Sequence, residues 1–140
     1  VRSLTASYRR WVYLLLTCFW GAMFVGTHLP KPPPSAGMLS DKVMHLLAFT
    51  GLGFLLSAAV AAQGKSPAQR FFRLLLILAT YAAADELLQI PVGRDAELGD
   101  WLADITGAAL GLTSFLVLRG VVHRIRGVTA DVPEEVPEVP

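Results

Sequence analysis

At 140 residues, with 54% hydrophobic content and a mean hydropathy of +0.52, the chain has the length of one domain and the composition of a membrane protein. Its 12 Lys and Arg against 11 Asp and Glu leave a net charge of +1, which excludes the basic footprint of a nucleic-acid binder. The single cysteine, Cys18, excludes an intramolecular disulfide.

Residues 1–10 form a segment with Arg2, Arg9 and Arg10, and residues 11–27 then run uncharged. About 17 such residues is near the lower limit for crossing a hydrocarbon core of about 30 Å. Basic residues before an apolar run are also the pattern of a cleaved signal peptide. The bulky Trp11, Phe19, Trp20 and Phe24, with no small-x-small site before His28, favour a retained first helix over 11–27. Cys18 within it reads as an ordinary buried thiol rather than a lipid acceptor.

From His28 to Ser40, Pro30 and the run Pro32-Pro33-Pro34 predict a stiff loop. Ser40 or Asp41 can cap a second helix over 42–62, since a side-chain oxygen there accepts an orphan backbone N–H. A turn at Gln63 to Pro67 leads past Arg70 and Arg73 into a third helix over 71–90, which Pro91-Val92-Gly93 ends. The fourth helix covers 100–118. Residues 119–140 begin with Arg119, Arg124 and Arg126 and pass, from Val128, into a Pro, Val and acid tail whose composition predicts disorder.

The expected fold is thus all-α, an integral membrane bundle of four transmembrane helices within 11–118. Lysine and arginine near helix ends concentrate on the cytoplasmic side. Arg2, Arg9, Arg10, Lys65, Arg70, Arg73, Arg119, Arg124 and Arg126 share one side of this topology, against Lys31, Lys42 and Arg94 on the other. Both termini are therefore expected in the cytoplasm. Every acid outside the tail falls on the outer side: Asp41, Asp85, Glu86, Asp95, Glu97, Asp100 and Asp104.

Helix spacing groups these acids, because residues three or four apart share a face. Asp41 and His45 are neighbours at the outer start of helix two, Glu86 and Asp85 reach Gln89 at the end of helix three, and Asp100 stacks on Asp104 at the start of helix four. Ionisable groups at membrane depth mark functional sites by default. His45, Glu86 and Asp100 are the candidate catalytic residues, moving a proton; an imidazole with an ordinary pKa of about 6.5 suits that role. Asp41, Lys42, Gln89, Arg94 and Asp104 are the candidate binding residues, with Arg94 and Lys42 suited to a phosphate or carboxylate.

Three alternatives stand beside this reading. The charges could pin helix ends together, Arg94 bridging Glu86 or Asp100 and Lys42 another carboxylate, in a non-catalytic protein that binds another envelope protein. A metal site from Asp41, His45, Glu86 and Asp100 is a lesser reading, since no H-E-x-x-H or cysteine pair marks it, and no cofactor is implied. A transporter would need several copies, for which Gly107-Ala108-Ala109-Leu110-Gly111 is the small-residue stripe; G-x-x-x-G says close packing, within the bundle or as a homo-oligomer through the Gly107/Gly111 face. Asp95 and Glu97 read as solvated, and His28 and His123 as interfacial.

D-K-x-x-H at Asp41 to His45, E-x-x-Q at Glu86 to Gln89, Gly93-Arg94, and D-W-L-A-D-x-x-G at Asp100 to Gly107 together resemble the VanZ-like family of small bacterial membrane proteins. The resemblance covers about Trp11 to Leu118. It implies a multi-pass protein of the bacterial cytoplasmic (inner) membrane and puts function on Asp41, Lys42, His45, Glu86, Gln89, Arg94, Asp100 and Asp104. Named members are named for teicoplanin resistance. The substrate class implied is an anionic, lipid-linked wall precursor or a lipoglycopeptide. In the family pattern the position of Asp104 is often asparagine, so this chain carries an extra acid.

Overall fold

The computed structural model describes residues 2–29, 40–61 and 66–130, with side chains within 6–29, 40–61 and 66–126. Regular structure among them is entirely helical: α1 (Arg2–Thr27), α2 (Asp41–Ala59), α3 (Pro67–Gln89), a 3-10 turn (Ile90–Val92) and α4 (Leu98–Ala130). The proline-rich loop at 30–39, most of the turn before Pro67, and the tail from 131 lie outside the described residues.

Local chemistry sets the helix starts. Ser40 Oγ accepts the Val43 N–H, so Ser40 rather than Asp41 is the cap of α2. Ser66 caps α3 by accepting the Gln69 N–H at 3.2 Å, and Pro67 follows in the first turn, where its missing N–H costs nothing. Three helices exceed their expected spans, α3 by starting at Pro67 rather than 71, while α2 stops at Ala59, short of 62. α1 begins at Arg2, and α4 continues from Leu118 through Arg119, Arg124 and Arg126 to Ala130, because the apolar pattern ends well before the helix-forming sequence does. Residues 128–130, read from composition as tail, are helical.

α2 and α4 run parallel and make the most extensive contact in the bundle. Residues that meet rise together along both helices: Lys42 with Asp100, His45 with Asp104, Phe54 with Phe115, and the Ala61 carbonyl with Arg119. Glycine permits the close approach. A Cβ on Gly53 would sit 2.7 Å from the Ala108 carbonyl oxygen, and Cβ atoms on Gly107 and Gly111 would collide with the backbone at Leu46 and Thr50. The G-x-x-x-G stripe therefore packs against α2 within the chain. α1 lies antiparallel to α2, with Phe19 over Gly51 and Tyr13 donating to the Ala59 carbonyl. α3 lies antiparallel to α4, tied by Trp101 Nε1 donating to the Ala79 carbonyl at 3.1 Å.

Phe49, Leu52, Leu78, Ala82 and Ala108 form the apolar core with Leu16 and Met23 of α1. Outside it the usual distribution of a soluble protein is inverted. His45, Asp85, Glu86, Gln89, Asp100 and Asp104 are buried, while Trp11, Leu15, Phe72, Leu76, Leu87, Leu110 and Val117 face outward. Leucine outside and carboxylate inside is the arrangement a lipid solvent favours. α1, α2 and α4 each contain a stretch long and apolar enough to cross a membrane. The chain is a membrane protein, and Cys18, expected to be buried, is exposed among the outward-facing residues of α1.

Candidate functional site

Four elements converge at one end of the bundle: the last turn of α1, the first turns of α2 and α4, and the last turn of α3 with its 3-10 extension. The parallel α2 and α4 present two N-termini there, with Asp41 and Asp100 in their first turns, where a carboxylate is favoured by the helix dipole. Asp85 and Glu86 sit at the C-terminal end of α3, where that dipole disfavours them. Their position needs another cause. Gly93, in the left-handed region at φ 78°, turns the chain after Val92 so that Arg94 points back across the bundle.

The innermost group joins three helices. His45 Nδ1 of α2 lies 3.0 Å from Asp104 Oδ1 of α4 and 3.7 Å from Glu86 Oε1 of α3. All three residues are at most 5% exposed. The second Glu86 oxygen accepts the Glu97 backbone N–H at 3.0 Å, which fixes the carboxylate. Glu86 Oε1 and Asp104 Oδ2 are buried with no hydrogen-bond partner among the described residues. Neither Glu86 nor Asp104 is paired with a lysine or arginine among the described residues.

Around this centre lies a rim of ion pairs. Lys42 Nζ donates to Glu97 Oε2 at 2.9 Å and to buried Asp100 at 3.1 Å. One Arg94 terminal nitrogen contacts both Asp41 oxygens at 3.0 Å, and the other donates to the Leu29 carbonyl. Arg94 Nε is buried without a partner among the described residues. A third group lies towards α1. Asp85 accepts from Tyr81 Oη at 3.2 Å and from Gln89 Nε2 at 3.3 Å, with His28 Nδ1 4.0 Å away.

The eight residues singled out by sequence thus occupy one end of the bundle. Asp104 holds His45, because one helical turn into α4 is the level His45 reaches in the parallel pair. Lys42 bridges a carboxylate as expected, that of Asp100, and Gln89 reaches Asp85 as its spacing allows. Arg94 differs from expectation, bridging Asp41 rather than Glu86 or Asp100. Glu97 is half-exposed but ion-paired rather than simply solvated.

Sequence reasoning passed over His28, Tyr81, Asp85 and Glu97 as site residues. Tyr81 is four residues before Asp85, so helical spacing carried a signal. His28 carried none, since its neighbour Asp85 is 57 positions away on another helix. Two sets of side chains could hold a cation: Asp41, His45 and Asp100, and His45, Glu86 and Asp104. In each, one ligand atom per residue lies within 4.8 Å of the others.

The VanZ/LLP1 family model matches residues 4–119. No curated relative and no solved structure matches the chain. The match runs from α1 to the level of α4 where Arg119 meets the end of α2, and it includes every residue of the centre and rim. The chain belongs to the VanZ/LLP1 family.

Proposed function

We propose that this VanZ-family protein binds or chemically processes an anionic cell-envelope molecule at the outer edge of the cytoplasmic membrane, with His45 as the proton-handling group. The carrying observation is the imidazole held between two buried carboxylates from separate helices, 3.0 Å from Asp104 and 3.7 Å from Glu86. Asp104 accepts from the Nδ1–H and fixes the ring, and Glu86 Oε1 is a free acceptor beside it. A group so arranged can take a proton from, or return one to, a bound hydroxyl or phosphate. Arg94 Nε is a donor still available to a ligand oxygen, and Lys42 is exposed enough to reach one.

The topology belongs to the same proposal. With α3 as a fourth span, Arg9, Arg10, Arg70, Arg73, Arg119, Arg124 and Arg126 fall at the end opposite the site, which favours cytoplasmic termini. Outward-facing Phe72, Leu76, Ile77 and Leu87 support lipid contact for α3. A tag at the C-terminus that is accessible in intact cells would reverse the orientation.

A non-catalytic role is the second reading, favoured by the Arg94–Asp41 and Lys42–Asp100 pairs, which tie the loop before α4, α2 and α4 together. Teicoplanin susceptibility of a sensitive Gram-positive host separates the two. The host would express the parent, Glu86→Gln or Arg94→Ala, with membrane abundance measured for each. Protection by the parent that vanishes in equally abundant variants supports the site. Loss that follows reduced abundance supports the structural role.

A further inference from the structure

We propose that His45, Glu86 and Asp104 form a binding site for one divalent transition-metal cation of the Zn²⁺ or Mn²⁺ class. The inference deepens the reading of the same centre as a proton-handling site and rests on it for any role in turnover. Occupancy itself is measured without an activity assay, so either can fail alone.

The first support is geometric. Zinc binds histidine nitrogen and carboxylate oxygen at about 2.0–2.2 Å, which places neighbouring ligand atoms about 3.0–3.5 Å apart in octahedral or tetrahedral coordination. His45 Nδ1, which gives up its proton when it ligates a cation, stands 3.0 Å from Asp104 Oδ1 and 3.7 Å from Glu86 Oε1, and one ligand atom of each residue lies within 4.8 Å of the others. Small adjustments would centre a cation between them. Three helices each supply one ligand, leaving coordination positions for water or a ligand oxygen, as in catalytic rather than structural zinc sites.

The second support is independent of the clustering. Glu86 is 5% exposed, and its Oε1, directed at the His45 ring, has no hydrogen-bond partner; Asp104 is fully buried and its Oδ2 has none either. An unsatisfied buried carboxylate oxygen is costly, and one on each of two neighbouring carboxylates asks for a cation. Among the described residues the nearby positive side chains are engaged elsewhere, Lys42 by Glu97 and Asp100, Arg94 by Asp41. Mixed imidazole and carboxylate donors suit zinc or manganese; magnesium prefers oxygen alone.

The alternative set of Asp41, His45 and Asp100 is less suited to the ion, because both of its carboxylates already hold a cationic side chain. Exposed Cys18 is a source of adventitious zinc, which the test must separate.

The full chain, purified in detergent, would be stripped with a chelator and reloaded with Zn²⁺ or Mn²⁺, and bound metal counted by mass spectrometry after desalting. About one equivalent is expected for the parent and for Cys18→Ser. Removing even an outer partner of a metal ligand weakens affinity about 10–100-fold, so Glu86→Gln and Asp104→Asn should each weaken uptake at least about tenfold. Mn²⁺ paramagnetic resonance on the parent needs no variant to fold, and immobilised signal at about one equivalent is expected. A parent that retains no metal and gives only the free-ion spectrum overturns the site. So does metal lost in Cys18→Ser, or metal that survives both carboxylate variants and disappears in Asp100→Asn.

Discussion

The two ends of the helix bundle carry opposite charges and handle them in opposite ways. At one end arginines sit at helix termini and, buried Arg70 apart, face outward; Arg119 donates to the carbonyl of Ala61 beyond the end of α2. At the other end carboxylates of α3 and α4 are buried, and those of α4 meet Lys42 and His45 of α2 at hydrogen-bond distance. Long basic side chains reach water from a membrane edge at little cost, whereas buried aspartate and glutamate require partners. Anchoring explains the first end. The second is assembled, down to a backbone N–H that holds one oxygen of Glu86.

The largest test of this contrast is His45→Ala, which leaves Glu86 and Asp104 facing each other. Breaking a buried pair destabilises by about 3–5 kcal/mol, and the unfolding temperature in detergent should fall steeply. A drop no larger than that of Arg119→Ala would erase the distinction between the ends. Arg94→Ala should cost about 1–3 kcal/mol, since its hydrogen bonds to Asp41 are charge-assisted and the guanidinium is buried. Arg94→Lys should recover only part of this, because one ammonium cannot serve Asp41 and the Leu29 carbonyl as a planar fork does. Lys42→Ala should lower the unfolding temperature by less than Arg94→Ala, because its pair with Glu97 is around half exposed, yet measurably, because buried Asp100 loses its cation. Arg124→Ala should be within about 0.5 kcal/mol of the parent; a larger effect would show that the basic end is also built.

The long apolar runs made the second and fourth helices legible, and Ser40 marked the start of one of them. The membership of the polar site was legible too, because Asp41 and His45, or Asp100 and Asp104, are one helical turn apart. Partnerships were not. Whether Lys42 meets Asp100 or Glu86 depends on the relative level of α2 and α4, and that level is set by where Gly107 and Gly111 meet Leu46 and Thr50. Small residues announce close packing without saying against what. The far end of α4 was missed for a different reason: hydropathy falls at Arg119, but an arginine-containing helix needs no hydrocarbon to persist.

The glycine contact between α2 and α4 also apportions freedom of movement. Backbones in direct contact cannot slide without collision, so His45 and Asp104 ride on one rigid body. Glu86 belongs to α3, which packs less extensively on that pair. Glu86 is thus the member whose spacing to His45 is set by a separate contact, the Glu97 N–H that holds its other oxygen just before α4. A change at that contact would alter the triad without disturbing the His45–Asp104 pair.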